Sequence, residues 1–197
     1  MKRLTILAVL ALAAASLCAD ELAVGAKAPA FTLPNTVDGK TVSFKPGDGK
    51  LSVVVFTCNE CPYAKAFEPR LVAIGQEYAK KGVVFYAIDS NDDAAYAEET
   101  TAEMKSRATE RHYPYPYLKD ANSQIARAYG ARVTPHVFVI DGSGVVRYRG
   151  YVDDSTRPSE RKHTGLEDAL NALLGGKDVA VTATRAFGCT IKFKPSA

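Results

Sequence analysis

The sequence predicts an α/β fold built on a mixed central sheet with helices on both faces. Two apolar, β-branched runs, LSVVVF (51–56) and GVVFYAID (82–89), are separated by one helix-length segment. A third run, TPHVFVID (134–141), leads into the turn Gly142-Ser143-Gly144 and then VVRYRG. Strands joined through a helix run parallel, whereas a hairpin adds antiparallel neighbours, so the sheet is mixed. A chain of 197 residues, 47% hydrophobic and 24% charged, suits one domain with a core of its own.

The elements follow in order. Residues 1–19 read as a secretory signal: basic Lys2 and Arg3, an apolar run too short to span comfortably, and small residues before a cleavage site after Ala19. A retained membrane anchor is the alternative. Acylation of Cys18 is a further one, disfavoured because Leu17 stands where a lipobox wants a small residue. Residues 20–197 form the folded domain. Losing Lys2 and Arg3 takes the net charge from +3 to +1, which leaves no basic face for nucleic acid.

Residues 20–50 form an N-terminal extension with turn signals at Pro29, Pro34, Asp38-Gly39 and Pro46-Gly47. Extended pieces fit near residues 30–33 and 41–44. The run 51–56 is nearly all apolar, as in a strand covered on both faces. From Pro62 the 4, 4, 3, 4 spacing of Tyr63, Phe67, Leu71, Ile74 and Tyr78 predicts one buried helix face. Pro69 should bend that helix, and Gly82 ends it. After the second strand, residues 92–111 predict an inserted helix, and HYPYPYLKD (112–120) an extended connector. Asp120 should cap a short helix closed by Gly130. The third strand and its hairpin follow, then a polar loop at 153–163 and an amphipathic helix at 166–176. The tail carries Cys189 in AFGCTIKFK.

The chemistry centres on FTCNECP (56–62). Without Cys18 three cysteines remain, Cys58, Cys61 and Cys189, too few for a disulfide scaffold. A Cys-x-x-Cys between a strand and a helix can be a structural disulfide, part of a metal site or a redox centre. A ring so small closes little chain entropy, which argues against the first. At a helix start, free N–H groups and the dipole stabilise a thiolate, the attacking species in disulfide exchange. This assigns Cys58 as nucleophile and Cys61 as resolving thiol. Glu60 is a candidate modulator whose carboxylate opposes a thiolate. His136, next to Pro135, is another; it either assists a leaving thiol or merely fills a strand position. Cys189 is either a third redox thiol or a buried small hydrophobe.

The chain resembles the thioredoxin superfamily, and within it the AhpC/TSA and TlpA-like redoxins. GAKAPAFTL (25–33) is similar to that group's G-x-x-A-P-x-F-x-L opening, and FTCNECP, VTPHVFVID and DGSGVVRYRG match its later motifs. The resemblance implies a thioredoxin-like fold and a cis Pro135 against the two sulfurs, with the neighbouring backbone pairing to an incoming polypeptide. Some features depart from it. On Cys61 as reference, Cys58 and Val54 occupy the threonine and proline positions of peroxiredoxins. Thr57 replaces the thioredoxin tryptophan, and Ser52 replaces its buried acid.

A periplasmic or otherwise extracytoplasmic thiol-disulfide oxidoreductase, acting on protein thiols and disulfides without a cofactor, fits these features best. As a reductase in an oxidising compartment it needs a membrane electron partner. The other readings are a copper(I) carrier, with Cys58, Cys61 and His136 as soft ligands, and a thiol peroxidase. No nucleic-acid partner is expected.

Overall fold

The computed structural model describes residues 20–195. Residues 1–19, read from the sequence as a secretory signal and including Cys18, lie outside them. Strands β1 (Phe31–Pro34) and β2 (Thr41–Phe44) pair antiparallel as the two extended pieces of the N-terminal extension. Strand β3 (Ser52–Phe56) is buried at every residue and leads to helix α1 (Pro62–Ala79). Strand β4 (Val84–Asp89) follows, then a 3₁₀ turn at Ala97–Glu99, helix α2 (Thr101–Glu110) and strand β5 (Tyr117–Lys119). Helix α3 (Gln124–Tyr129) precedes strands β6 (Val133–Thr134), β7 (His136–Ile140) and β8 (Val146–Gly150). Helix α4 (Gly165–Leu174) and strand β9 (Cys189–Thr190) complete the order.

The central sheet runs β5-β4-β3-β7-β8. β3, β4 and β5 are mutually parallel, whereas β7 is antiparallel to both β3 and β8. The mixed sheet expected from the sequence is thus present, with β3 at its centre. Alternate side chains of β3 enter opposite cores, as the two-residue strand period requires. Val53 and Val55 pack with Phe67 and Leu71 of α1, Met104 of α2 and Leu166 of α4. Val54 and Phe56 pack with Phe31, Phe44 and Tyr129 on the other face. Burying such a side chain contributes about 1.5–3 kcal/mol, which is why this strand anchors the loop that follows it.

Four local expectations are corrected. The segment 92–111 is helical only from Thr101. The Thr100 hydroxyl accepts from the Glu103 N–H and starts the helix there. The connector 112–120 is extended only in part: His112 lies in a turn, Pro114 and Tyr115 in bends, and Tyr117–Lys119 joins the sheet as β5. Tyr63 is 42% exposed rather than buried, and Glu68 takes a buried place on α1 instead. The third strand is split at Pro135, which has no N–H to offer a ladder. The Asp120 expectation holds in substance. Ser123 is the formal N-cap of α3, yet the Asp120 carboxylate accepts from Gln124, Ile125 and Ala126. Gly130, at φ 62°, closes that helix. Among the described residues no helix is long and apolar enough to cross a membrane.

Candidate redox site

β3 and α1 bring the two cysteines to one place. β3 ends at Phe56, and the Thr57 N–H continues the sheet by bonding Ile88 O at 2.9 Å. α1 then begins at Pro62, a residue suited to the first helical position because its missing N–H is not needed there. Cys61 is therefore the N-cap, and its sulfur accepts from the Ala64 N–H at 3.5 Å. The Cys58 sulfur lies 3.1 Å from Thr134 Oγ1, and the Cys61 thiol points to Thr134 O at 3.3 Å. The Thr134-Pro135 peptide is cis, as the resemblance implies. Thr134 supplies the hydrogen-bonding contacts to both sulfurs. Cys58, Cys61 and Cys189 are free thiols, the first two buried at 4% and 3% exposure.

The helix start serves Cys61 directly, through the Ala64 N–H. When Cys61 loses its proton, its sulfur faces the Cys58 thiol, the Cys189 thiol and the Ala64 N–H. These donors, Cys58 foremost, bring its pKa down to about 4. Cys58 is pushed strongly upward, first by donating to Cys61, then by burial and by the negative Glu99. The two thiols thus ionise as a pair, the proton lost by one being held more tightly by the other.

Glu99 is the residue that sequence reasoning missed. It is fully buried at the end of the 3₁₀ turn. Its carboxylate accepts from the N–H groups of Asn59 at 2.8 Å and Glu60 at 3.0 Å, and from Asn91 Nδ2 at 3.2 Å. The two spacer N–H groups expected to serve a Cys58 thiolate are therefore occupied by a carboxylate. Asn59 is held further by its Nδ2 on Glu98 O at 2.7 Å and by the Tyr117 hydroxyl on its Oδ1 at 3.1 Å. Lys119 Nζ donates to the backbone oxygens of Asn91 and Glu99 and lies 3.6 Å from the Asp89 carboxylate. Burial, then the Glu99 charge, raises the Asp89 carboxyl well above its ordinary range. Asp89 on β4 and Glu99 in the 3₁₀ turn are both fully buried acids. The contact from residue 99 to residue 59 spans 40 positions and leaves no periodic trace in sequence.

Cys189 reaches the pair through β9. β9 pairs antiparallel with β6, placing Cys189 opposite Thr134. The β6 edge beside Pro135, where the resemblance implies an incoming polypeptide, thus carries the chain's own tail. Cys189 packs against Cys58, Cys61 and Ala64 and is only half-buried. Burial, then its bond to Cys61, pushes its thiol up to about 11. A cavity of about 390 Å³ opens over the three sulfurs, lined also by Tyr96, Glu99 and Lys192.

Two predicted modulators stand elsewhere or act little. Glu60 is exposed at the cavity mouth, and the opposing charge expected of it comes from Glu99. His136 is 1% exposed, stacks on Phe138 with centroids 4.5 Å apart, and points its Nε2 toward Glu21 at 3.3 Å. That contact lacks hydrogen-bond alignment, so both ring nitrogens are unsatisfied. Burial lowers the His136 pKa to about 4, so the ring is neutral near pH 7 and gives the sulfurs no charge. The ligand trio of the copper reading is not assembled, because His136 lines a different cavity, with Glu21 and Arg149. Among the described residues no group of three His, Cys, Asp or Glu is arranged to hold a metal ion.

The model of the AhpC/TSA family matches residues 24–149. The thiol:disulfide interchange protein DsbE of Pseudomonas fluorescens biotype C is 31% identical over 134 residues, 66% of this chain and 69% of that protein. The thiol-disulfide oxidoreductase ResA of Bacillus thuringiensis subsp. konkukian is 26% identical over 127 residues, 64% of this chain and 69% of that protein. A crystal structure of an uncharacterized conserved protein from Geobacillus kaustophilus matches with a TM-score of 0.84 at 39% identity, covering 89% of this chain and 95% of that one.

Proposed function

The chain belongs to the AhpC/TSA family and is a thiol-disulfide oxidoreductase, and from that premise we propose that it exchanges disulfides with protein substrates outside the cytoplasm through Cys58 and Cys61. The observation that carries this reading is two buried free thiols, both in contact with Thr134, at the N-terminus of an 18-residue helix. Reduced Cys58 and Cys61 convert a disulfide presented at the cavity into two thiols: the bond between their sulfurs forms as the substrate's breaks, and the two thiol protons pass to the substrate sulfurs. Run backwards, the same steps oxidise a dithiol. The potential decides the direction, and relatives of this chemistry span roughly −270 to −120 mV.

Export rests on the basic and apolar character of residues 1–19. In an oxidising compartment net reduction requires a membrane protein that supplies electrons. The test is turnover of a disulfide-bonded substrate protein with a thiol donor, alongside fractionation of cells making the full chain. Cys61→Ala, and the double variant Cys58→Ala with Cys189→Ala, should each bring turnover to the uncatalysed rate. Turnover retained by either variant contradicts the two-thiol reading.

A further inference from the structure

The cluster over the cavity contains three sulfurs, whereas the exchange above uses two. Cys58 and Cys61 are buried at the base of the cavity, whereas Cys189 packs on them half-exposed. Its placement is built into the fold. Phe187 meets Phe67 at 5.7 Å, Tyr63 at 6.1 Å and Tyr151 at 6.3 Å between ring centroids. This contact gives the exposed Tyr63 a partner. Beyond Cys189, Ile191 is 3% exposed in the second core, and its N–H bonds Arg132 O at 2.8 Å. Lys192 accepts from the Asp92 N–H at 2.7 Å and donates to Asn91 Oδ1 at 2.7 Å. Gly188 fits because it lacks a side chain: a Cβ there would fall on the Thr134 carbonyl, 2.7 Å from its carbon. A strap clamped on both sides thus presents one thiol to Cys61 and to solvent.

From this placement we infer that Cys189 is the entry thiol of a three-cysteine relay, through which external thiols and disulfides reach the buried pair. The inference rests on the reading of Cys58 and Cys61 as an exchange pair. Starting from their disulfide, the Cys189 thiolate attacks the Cys61 sulfur. The bond between Cys61 and Cys189 forms and that between Cys58 and Cys61 breaks. Cys58 leaves as a thiolate and takes up the proton that Cys189 gave up, so one disulfide is exchanged for another with no net oxidation. A substrate dithiol then attacks Cys189, releasing Cys61 as a thiolate. The second substrate thiol displaces Cys189, leaving the substrate oxidised by two electrons and the protein reduced by two. Substrate disulfides are reduced by the reverse sequence. Cys61 is the middle sulfur throughout, and its place at the helix N-terminus makes it the best leaving group of the three.

The test oxidises a Cys58→Ser variant of the chain with oxidised glutathione and maps its disulfides by mass spectrometry without reduction. The relay predicts a bond between Cys61 and Cys189 as the main product. A glutathione adduct on Cys61 with Cys189 left as a free thiol overturns it. In Cys189→Ser, the relay predicts that the disulfide between Cys58 and Cys61 still forms, with its exchange with glutathione slowed about tenfold or more at an unchanged thermal midpoint. An unchanged rate, or a slowed rate that merely follows loss of folding, overturns it. Failure of the wild-type pair to form a disulfide at all sinks the underlying two-thiol reading instead.

Discussion

Glu68 on α1 and Glu99 in the 3₁₀ turn are both buried carboxylates, at 6% and 0% exposure. Glu68 meets Arg107 at 2.6 Å, Arg111 at 3.3 Å and the Tyr113 hydroxyl at 2.9 Å. Glu99 is held by two peptide N–H groups and one amide, while the nearby Lys119 amine is directed at backbone oxygens. The first carboxylate is neutralised by cations, so its field is spent locally on joining α1 to α2. The second is held by neutral dipoles, and its field falls on Cys58. Neighbouring groups, more than burial, decide whether a buried acid works as structure or as an electrostatic control on a thiol.

The largest effect should come from breaking the neutralised side. Glu68→Ala leaves Arg107 partly buried and unpaired, and should cost about 3 kcal/mol in urea unfolding. The redox potential of the cysteine pair should stay unchanged. A shift in potential would mean that the two carboxylates are not separate in their effects.

His136 sharpens the comparison as a buried group that stays neutral. Its folded pKa of about 4 lies below its free value of 6.5. Its contribution to stability is therefore present above pH 6.5 and lost as pH falls through about 4. The loss should approach about 3 kcal/mol. In His136→Phe, which keeps a ring against Phe138, the stability difference between pH 7 and about pH 4 should shrink by that amount. An identical pH profile would refute the assignment.

Glu99→Gln tests the side that controls the thiol. It keeps an acceptor for the spacer N–H groups and removes the charge. Stability should fall by about 1–3 kcal/mol, because one hydrogen-bonding edge becomes mismatched. The Cys58 thiol should ionise at lower pH, read by ultraviolet thiolate absorbance, and the pair should become more oxidising. A Cys58 titration that does not move would remove Glu99 from the mechanism. The smallest effect belongs to an exposed carboxylate. Glu77 pairs with Lys81 at 2.7 Å with side chains 57% and 42% exposed, and Glu77→Ala should cost only about 0.3–0.5 kcal/mol.

The sheet and the cysteine loop were legible because their signals are local. SVVVF reads as a doubly covered strand, and Pro62 marks a helix start. Thr134, Pro135 and the following turn mark the opposing strand and its hairpin. What stayed hidden depends on contacts distant in sequence. Tyr63 has the spacing of a core residue, but the strap brings Phe187 to it at the surface. Tyr117–Lys119 lies in a proline-punctuated segment and becomes a strand only because β4 offers an edge. Cys58 reads as the thiol at the helix start because it follows the strand directly and the spacer's partner is distant in sequence. The spacer is instead a loop bound to Glu99, which moves the cap to Cys61.

The most direct test of the account is a redox titration of the chain beginning at Asp20 in glutathione buffers, with the disulfides mapped at each point. The account predicts reversible two-electron behaviour with a disulfide between Cys58 and Cys61 at a defined potential. A pair that never closes under oxidising buffers would contradict it.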